Sequence, residues 1–337
     1  MFAVVEKLAQ VLRKRAEVGD DVAIGRVVRV EGFSTLPGGD DGVVVVDRDG
    51  AVEGGTLAAM ASEQLAQAGR DVLKSGRSRS VTEVTVDIGD KEAVANGLAC
   101  GGRVDLVLQA AAAIPSQLWD SLAARSPVAL LSRMEGPEVA VVASNGRVFG
   151  PPPPDELLES AEEAFRAGRS TSRIIEHEAS RFLLEAWVPE PRLTVVGGGE
   201  LLDAIHAQAA LLGWETRDTD GLAGLDDLFA WSGQSAALIV LSHDPQVDVP
   251  ALAAGLNKGV AYIGALGSRR TQSRRMDQLA AVGVEPSELA RVHRPIGLDL
   301  GGRRAPEVAL AIVAEILACH YGRTAMPLKE TSGPIHG

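Results

Sequence analysis

From residue 192 onward, short apolar runs alternate with helix-length segments, and that alternation leaves few folds open. The runs cover 193–196, 215–217, 237–241 and 260–263, with a helix predicted over roughly 201–212 after the first. Such runs are too short for helices, and their apolar character suits strands buried on both faces of a parallel sheet. Later helices are predicted to begin near Ser268, a residue able to cap, and near Pro306, at a tolerated first-turn position. The pattern is a βαβ series, and it predicts a doubly wound parallel sheet.

The first half reads as mixed α+β. A helix is predicted at the start, with Val5, Leu8 and Leu12 on one face. Strands are predicted over 22–30 and 43–46, around a loop holding Pro37, Gly38, Gly39 and Gly42. Asp49-Gly50 predicts a tight hairpin before AVEGG, and an Ala-rich helix over 57–67 is expected to end at Gly69. Further strands are expected over 81–86, 104–109, 128–131 and 139–143. Four prolines, Pro151 to Pro154, break the pattern, yet 181–188 still reads as a strand that returns to the first sheet. The boundary therefore falls near 190, after Pro189, giving domains of 1–188 and 189–322 and a flexible tail over 323–337.

Composition removes several classes of function. With 33 basic against 45 acidic residues the net charge is −12, which repels a phosphate backbone and argues against nucleic acid as a partner. No apolar stretch reaches the ~18 residues of a membrane span, and the N-terminus lacks the apolar core of a secretory signal. Cys100 and Cys319 alone make neither a disulfide framework nor a zinc knuckle, so reduced thiols in the cytoplasm are expected. No pair of histidines has HExxH-like spacing.

In a doubly wound sheet, ligands bind beyond the carboxyl ends of the strands. The predicted strands run into Gly197, Gly198 and Gly199, then Asp218, then Ser242, His243 and Asp244, then Gly264 and Gly267. A glycine turn before a helix lets backbone N–H groups approach a phosphate, and an acid 21 residues beyond Gly197, here Asp218, can accept from a ribose hydroxyl. Leu202 stands where a third small residue would complete that fingerprint, so a tight turn with no ligand stays open. Between 269 and 304, eight arginines face four acids. Arg269 and Arg270 follow Gly267-Ser268 at a helix start, where they could share an anion, the alternative being a solvated basic face. His243 and Asp244 read as binding or strand-end residues rather than an acid–base pair. Cys100, in GLACGGRVDLVLQ, is either a thiolate able to meet a soft metal or a small buried side chain.

These residues also carry a family resemblance. The stretches LTVVGGGEL, LSHDPQVD, AYIGALGSRRTQSRRMDQL and RPIGLDLGGRRAPEVALAIVAEILA resemble the Rossmann-like domain of the XdhC/CoxI proteins. VGDDVAIGRVVRVEGFSTLPGG, the AVEGG turn and NGLACGGRVDLVLQ resemble their N-terminal half. The resemblance implies an accessory protein that binds molybdenum cofactor, as molybdopterin or its dinucleotide form, rather than one that turns over substrate. It implies a cysteine desulfurase as sulfur source and a xanthine dehydrogenase-like hydroxylase as client. It makes Cys100 a functional thiol and possible molybdenum contact, and adds Asp299 to the cofactor-binding positions. Thr56 stands where many members of the family have a second cysteine, and a hydroxyl is a poor ligand for a soft metal. A homodimer is compatible with this reading. An NAD(P)-dependent Rossmann oxidoreductase is the alternative, since one fold serves both.

Overall fold

The computed structural model describes residues 21–32, 43–54, 60–75, 81–95 and 100–331. The predicted N-terminal helix, the Pro37–Gly42 loop, Thr56 and His336 lie outside them. The chain divides into two units, Met1–Phe165 with Arg169–Pro189, and Glu190–Gly337 with Arg166–Gly168.

The first unit is built on two antiparallel five-stranded sheets. One contains β1 (Val22–Glu31), β2 (Val43–Asp47), β3 (Val52–Gly54), β4 (Thr82–Ile88) and β5 (Gly102–Ala110), in the order β3-β2-β1-β5-β4. The other contains β6 (Val128–Arg133), β7 (Val139–Ala143), β8 (Val148–Phe149), β9 (Thr171–His177) and β10 (Ser180–Trp187), in the order β8-β7-β6-β10-β9. The expected return of 181–188 to the first sheet is therefore corrected. As β10 it pairs with β6 and β9 in a second sheet, Glu185 opposite Leu130.

Strand alternation explains the stacking. Val22 and Ile24 turn to one side of β1 and pack with Val128, Leu130, Val141 and Trp187 between the sheets, joined by Leu118, Trp119 and Leu122 of α3 (Gln117–Ala123). Ala23, Val44, Leu106 and Leu108 turn the other way, onto Leu65 and Val72 of α1 (Ser62–Ser75). Leu131, Val142 and Leu184 cover Leu157 and Ala161 of α4 (Asp155–Arg166). The result is a helix–sheet–sheet–helix sandwich, with the short α2 (Asp90–Ala95) between β4 and β5. Asp49-Gly50 makes the predicted hairpin turn, Gly50 N donating to Asp47 O at 3.1 Å. Gly69 does not end α1. A Cβ there would lie 2.4 Å from Val46 Cγ1, so the glycine lets the helix lie against β2.

The second unit is the doubly wound parallel sheet that the sequence predicts. Its strands are β11 (Leu193–Val196), β12 (Thr216–Thr219), β13 (Ala237–Val240), β14 (Tyr262–Ala265) and β15 (Val292–His293), all parallel, in the order β12-β11-β13-β14-β15. On one face, α5 (Glu200–Leu211) and α10 (Ala305–His320) supply Ile205, Ala209, Ile312 and Ile316 to the core. On the other, α6 (Leu225–Ser232), α7 (Pro245–Asn257) and α8 (Arg269–Ala281) supply Phe229, Leu252 and Leu279; the short α9 (Pro286–Leu289) precedes β15. The connections after β11 and β13 leave for opposite faces, so the topological switch lies between these two strands.

Two expected strand-end residues lie inside strands. Asp218 belongs to β12, opposite Val195, and Gly264 to β14, opposite Ile239. The fourth strand is Tyr262–Ala265 rather than 260–263, because α7 continues to Asn257 and Gly259, at φ +68°, makes the turn that follows.

Candidate functional site

The carboxyl edge of the second sheet begins at the glycine turn after β11. Gly197 is buried at φ +121°, and a Cβ on it would lie 2.9 Å from Ser242 N at the end of β13. It is therefore required by the close approach of the β11 and β13 segment ends at the switch point. Gly198 and Gly199 are exposed, with no atom near where a side chain would start, and Gly199 caps α5 without a side-chain hydrogen bond. The helix start is thus accessible, but its first turn carries Glu200 and Asp203, which already compensate the positive end of the helix dipole. Asp218 faces His206 of α5, Oδ1 at 3.4 Å from Nε2. Gly264 offers no ligand surface; a Cβ there would lie 2.3 Å from Ile296 Cδ1, and packing accounts for the glycine.

The loop after β13 and the start of α8 form a cleft. Its walls carry His243, Arg270, Thr271 and Arg274, and Asp248 and Arg275 lie at its buried inner end. Asp244 is the N-cap of α7, accepting from Gln246 N at 2.9 Å, while its own N–H donates to Ser242 Oγ at 3.0 Å. Gly267, at φ +136°, turns the chain into Ser268, which caps α8 by accepting from Thr271 N at 3.3 Å. Both acidic and hydroxyl caps thus serve the helices, and neither Asp244 nor Ser268 lines the cleft.

Arg275 organises the inner end. Its guanidinium donates to Leu266 O at 3.0 Å, Gln272 Oε1 at 3.0 Å, Ser242 O at 3.4 Å and the Asp248 carboxylate. One side chain so ties the ends of β13 and β14 to α7. Burial pushes the Asp248 carboxyl up, and the Arg275 guanidinium pulls against it.

The eight arginines of 269–304 fall into two groups. Arg275 is paired with Asp248, Arg291 with Glu288 and Arg304 with Glu307, and Arg294 donates to the Leu289 and Val292 carbonyls. Arg269, Arg270, Arg274 and Arg303 have no side-chain partner among the described residues. Arg270 and Arg274 stand one helical turn apart beside the cleft, whereas Arg269 does not line it. A cation in the first turn of a helix opposes the dipole by about 0.3–1 kcal/mol, and a like-charged i, i+4 pair costs about 0.2–0.5 kcal/mol more. An anion between them would relieve this local cost.

Asp299 lies exposed in the loop between β15 and α10. Glu315 of α10 anchors that loop, accepting from Gly297 N at 2.8 Å, from Tyr262 Oη and from His293 Nδ1 at 3.2 Å. Burial alone would raise the Glu315 carboxyl, but these hydrogen bonds hold it below the usual carboxylate range.

In the first unit, Cys100 is half-buried, with Sγ 3.2 Å from Gly32 O. The next residue, Gly101, donates its N–H to Asp90 Oδ1 at 2.8 Å. The ends of β1 and β4 and the start of β5 lie at the same end of the sheet as Cys100. Among the described residues, no three His, Cys, Asp or Glu side chains group as metal ligands. No helix among them is long and apolar enough to cross a membrane.

Sequence reasoning missed Asp248, Thr271 and the tie made by Arg275. An acid inside PQVDVPAL reads as an ordinary polar position, and only the fold shows that it is buried.

Residues 193–316 match the family model of the XdhC Rossmann domain. The chain is also similar to two proteins of Escherichia coli (strain K12). One is the molybdenum cofactor insertion chaperone PaoD, 30% identical over 133 residues that cover 38% of this chain and 40% of PaoD. The other is the uncharacterized protein YqeB, 30% identical over 145 residues that cover 38% of this chain and 27% of YqeB. The match therefore spans well under half of either relative. A crystal structure of a xanthine dehydrogenase from Bacillus halodurans aligns over 95% of this chain and 98% of that one, at 20% identity and a TM-score of 0.45.

Proposed function

We propose, for a chain whose residues 193–316 match the XdhC Rossmann-domain model, that it is an accessory protein that holds molybdenum cofactor and helps install it in a molybdenum hydroxylase. The observation that carries this reading is the cleft walled by Arg270, in the first turn of α8, and Arg274, one turn further on, two like charges without side-chain partners among the described residues. A phosphate-bearing ligand supplies the missing counter-charge. The donor set fits the anionic end of a pterin cofactor, with His243 and Thr271 available for further hydrogen bonds. When bound, the cofactor supplies the redox-active molybdenum that the client uses. The chain's own residues bind and orient its phosphate and shield it until transfer. Sulfur supply by a cysteine desulfurase and a xanthine dehydrogenase-like client complete this reading, in the cytoplasm.

The alternative, an NAD(P)-dependent oxidoreductase, is disfavoured by Glu200 and Asp203 at the start of α5, where a dinucleotide would bring its diphosphate, and by the pairing of Asp218 with His206.

Arg270→Ala combined with Arg274→Ala is expected to weaken cofactor binding at least tenfold, with a larger loss at low salt than at high salt. The check is to purify wild type and variant from cells that make the cofactor and to assay molybdenum, pterin and nicotinamide together. Equal pterin in both preparations, or nicotinamide in place of pterin, would sink the proposal.

Cys100→Ser is expected to leave the melting temperature nearly unchanged, because a hydroxyl can donate to Gly32 O as the thiol does. Transfer of sulfurated cofactor to the client is expected to fall at least tenfold, since a hydroxyl is a poor soft-metal ligand and sulfur carrier. Normal transfer per folded molecule would remove the thiol from the mechanism.

A further inference from the structure

We infer that the cleft also receives an uncharged N–H donor, the 2-amino-4-oxopyrimidine edge that a pterin shares with guanine, and that Asp248 Oδ1 is its acceptor. The inference rests on the reading of the cleft as a cofactor site, and it adds which edge of the ring system is recognised and by which atom.

Three features carry it. The first is an unmet acceptor. Asp248, in the first turn of α7, is 2% exposed and lines the cleft. Its Oδ2 is held by Arg275, whereas Oδ1 is buried and has no hydrogen-bond partner among the described residues. Burial works against the charge on this carboxyl, and Arg275, Ser242 and His243 work for it. The ion pair with Arg275 keeps it a carboxylate, which can only accept, and an acceptor buried without a donor is costly.

Second, the surroundings of Oδ1 fix the charge of that donor. Arg270, Arg274 and Arg275 stand against the one carboxylate of the cleft, an excess of positive charge that repels an ammonium group but not a neutral N–H. Arg275 has nothing left for a ligand, because its guanidinium already donates to Leu266 O, Ser242 O, Gln272 Oε1 and Asp248. The group that reaches Oδ1 is therefore an amino or ring N–H without charge of its own.

Third, the wall on α8 suits a planar ring that carries a carbonyl beside its N–H groups. Gln278 lines the cleft, and its amide can donate to such a carbonyl. The exposed guanidinium groups of Arg270 and Arg274 can lie against a ring face as well as meet an anionic arm. Arg270, Arg274 and Gln278 follow at four-residue steps, a strip about 12 Å long, which matches a bicyclic ring with an arm better than a compact anion. Adenine, with an amino group and no carbonyl, uses only part of this set.

The test uses the full chain and two pairs of probes, titrated by calorimetry. One pair is 6-hydroxymethylpterin and the matching lumazine, in which a carbonyl replaces the 2-amino group; the other is guanosine and inosine, which lacks that group. In at least one pair the amino-bearing probe is expected to bind at least tenfold more tightly than its partner, and the pair that shows it identifies the source of the edge, the cofactor's ring or the base of its dinucleotide form. Asp248→Leu with Arg275→Met, which removes the acceptor without leaving a buried charge, is expected to abolish the preference, and its melting curve establishes that it is folded. Equal binding within both pairs by wild type, binding of none of the four probes, or a preference that survives in the folded Asp248→Leu variant would each overturn the inference. The anion reading fails separately: if the amino preference holds while Arg270→Ala with Arg274→Ala retains as much pterin as wild type, the phosphate contact falls and the role of Asp248 stands.

Discussion

Arg275→Ala is expected to destabilise the second unit by about 3–5 kcal/mol, the range for removing one partner of a buried ion pair. Arg275 and Asp248 are almost fully buried, so alanine at 275 leaves a carboxylate in the interior without its counter-ion. It also unties Leu266 O from Ser242 O, and with them the ends of β14 and β13. Hydrogen exchange, resolved along the full chain, should show protection lost first in α7 and α8 while the first unit is unaffected. Arg275→Met combined with Asp248→Leu should recover most of the loss, because well-packed apolar side chains carry no desolvation cost. Unchanged protection in the single variant would mean that solvent reaches Asp248, and the buried tie would have to be abandoned.

An effect of similar size is expected from Glu185→Ala in the first unit. Arg26 and Glu185 reach across the space between the two sheets, Arg26 Nε lying 2.8 Å from each carboxylate oxygen and Nη2 donating to Gln109 Oε1 at 2.9 Å. Burial pushes the Glu185 carboxyl up, with Arg26 pulling against it. Alanine would leave the guanidinium buried with one amide for company, at a cost of about 3–5 kcal/mol. Arg26 Nη1 already has no acceptor in this interior. Arg26→Met with Glu185→Leu is therefore expected to be at least as stable as wild type, by chemical denaturation of the full chain. A loss below about 1 kcal/mol for Glu185→Ala would show that the pair is hydrated.

The parallel sheet was legible in the sequence because strands such as Leu193–Val196 are apolar throughout and end abruptly at glycine or a polar residue. The two-sheet arrangement of the first unit was not. Alternation in VALLSR or RFLLEAW says that a strand has two faces, not which strand it will pair with. At the site, position after a strand led to His243, which lines the cleft, and also to Gly264, which lies inside β14 and whose lack of a side chain answers to Ile296. The arginine cluster was visible as composition, but only the fold separates Arg270 and Arg274 from Arg291 and Arg304, whose charges are met by Glu288 and Glu307. Buried pairs such as Asp248–Arg275 leave no periodic trace, because each partner looks like a solvated residue on its own helix.

The sheet order has a further consequence for how copies of this chain meet one another. Among the described residues, each of the three sheets ends on one side in a strand of two or three residues: Val52–Gly54, Val148–Phe149 and Val292–His293. A newcomer aligning there finds only a few backbone groups to pair with, too few to repay the ordering of its own chain. The opposite borders are longer but charged, with Glu83 and Asp87 in β4, Arg173 and Glu176 in β9, and Arg217 and Asp218 in β12. Neither kind of border is the long, flat, apolar rail on which sheets zip together, so even in crowded solution each sheet is expected to stop where its own chain stops it.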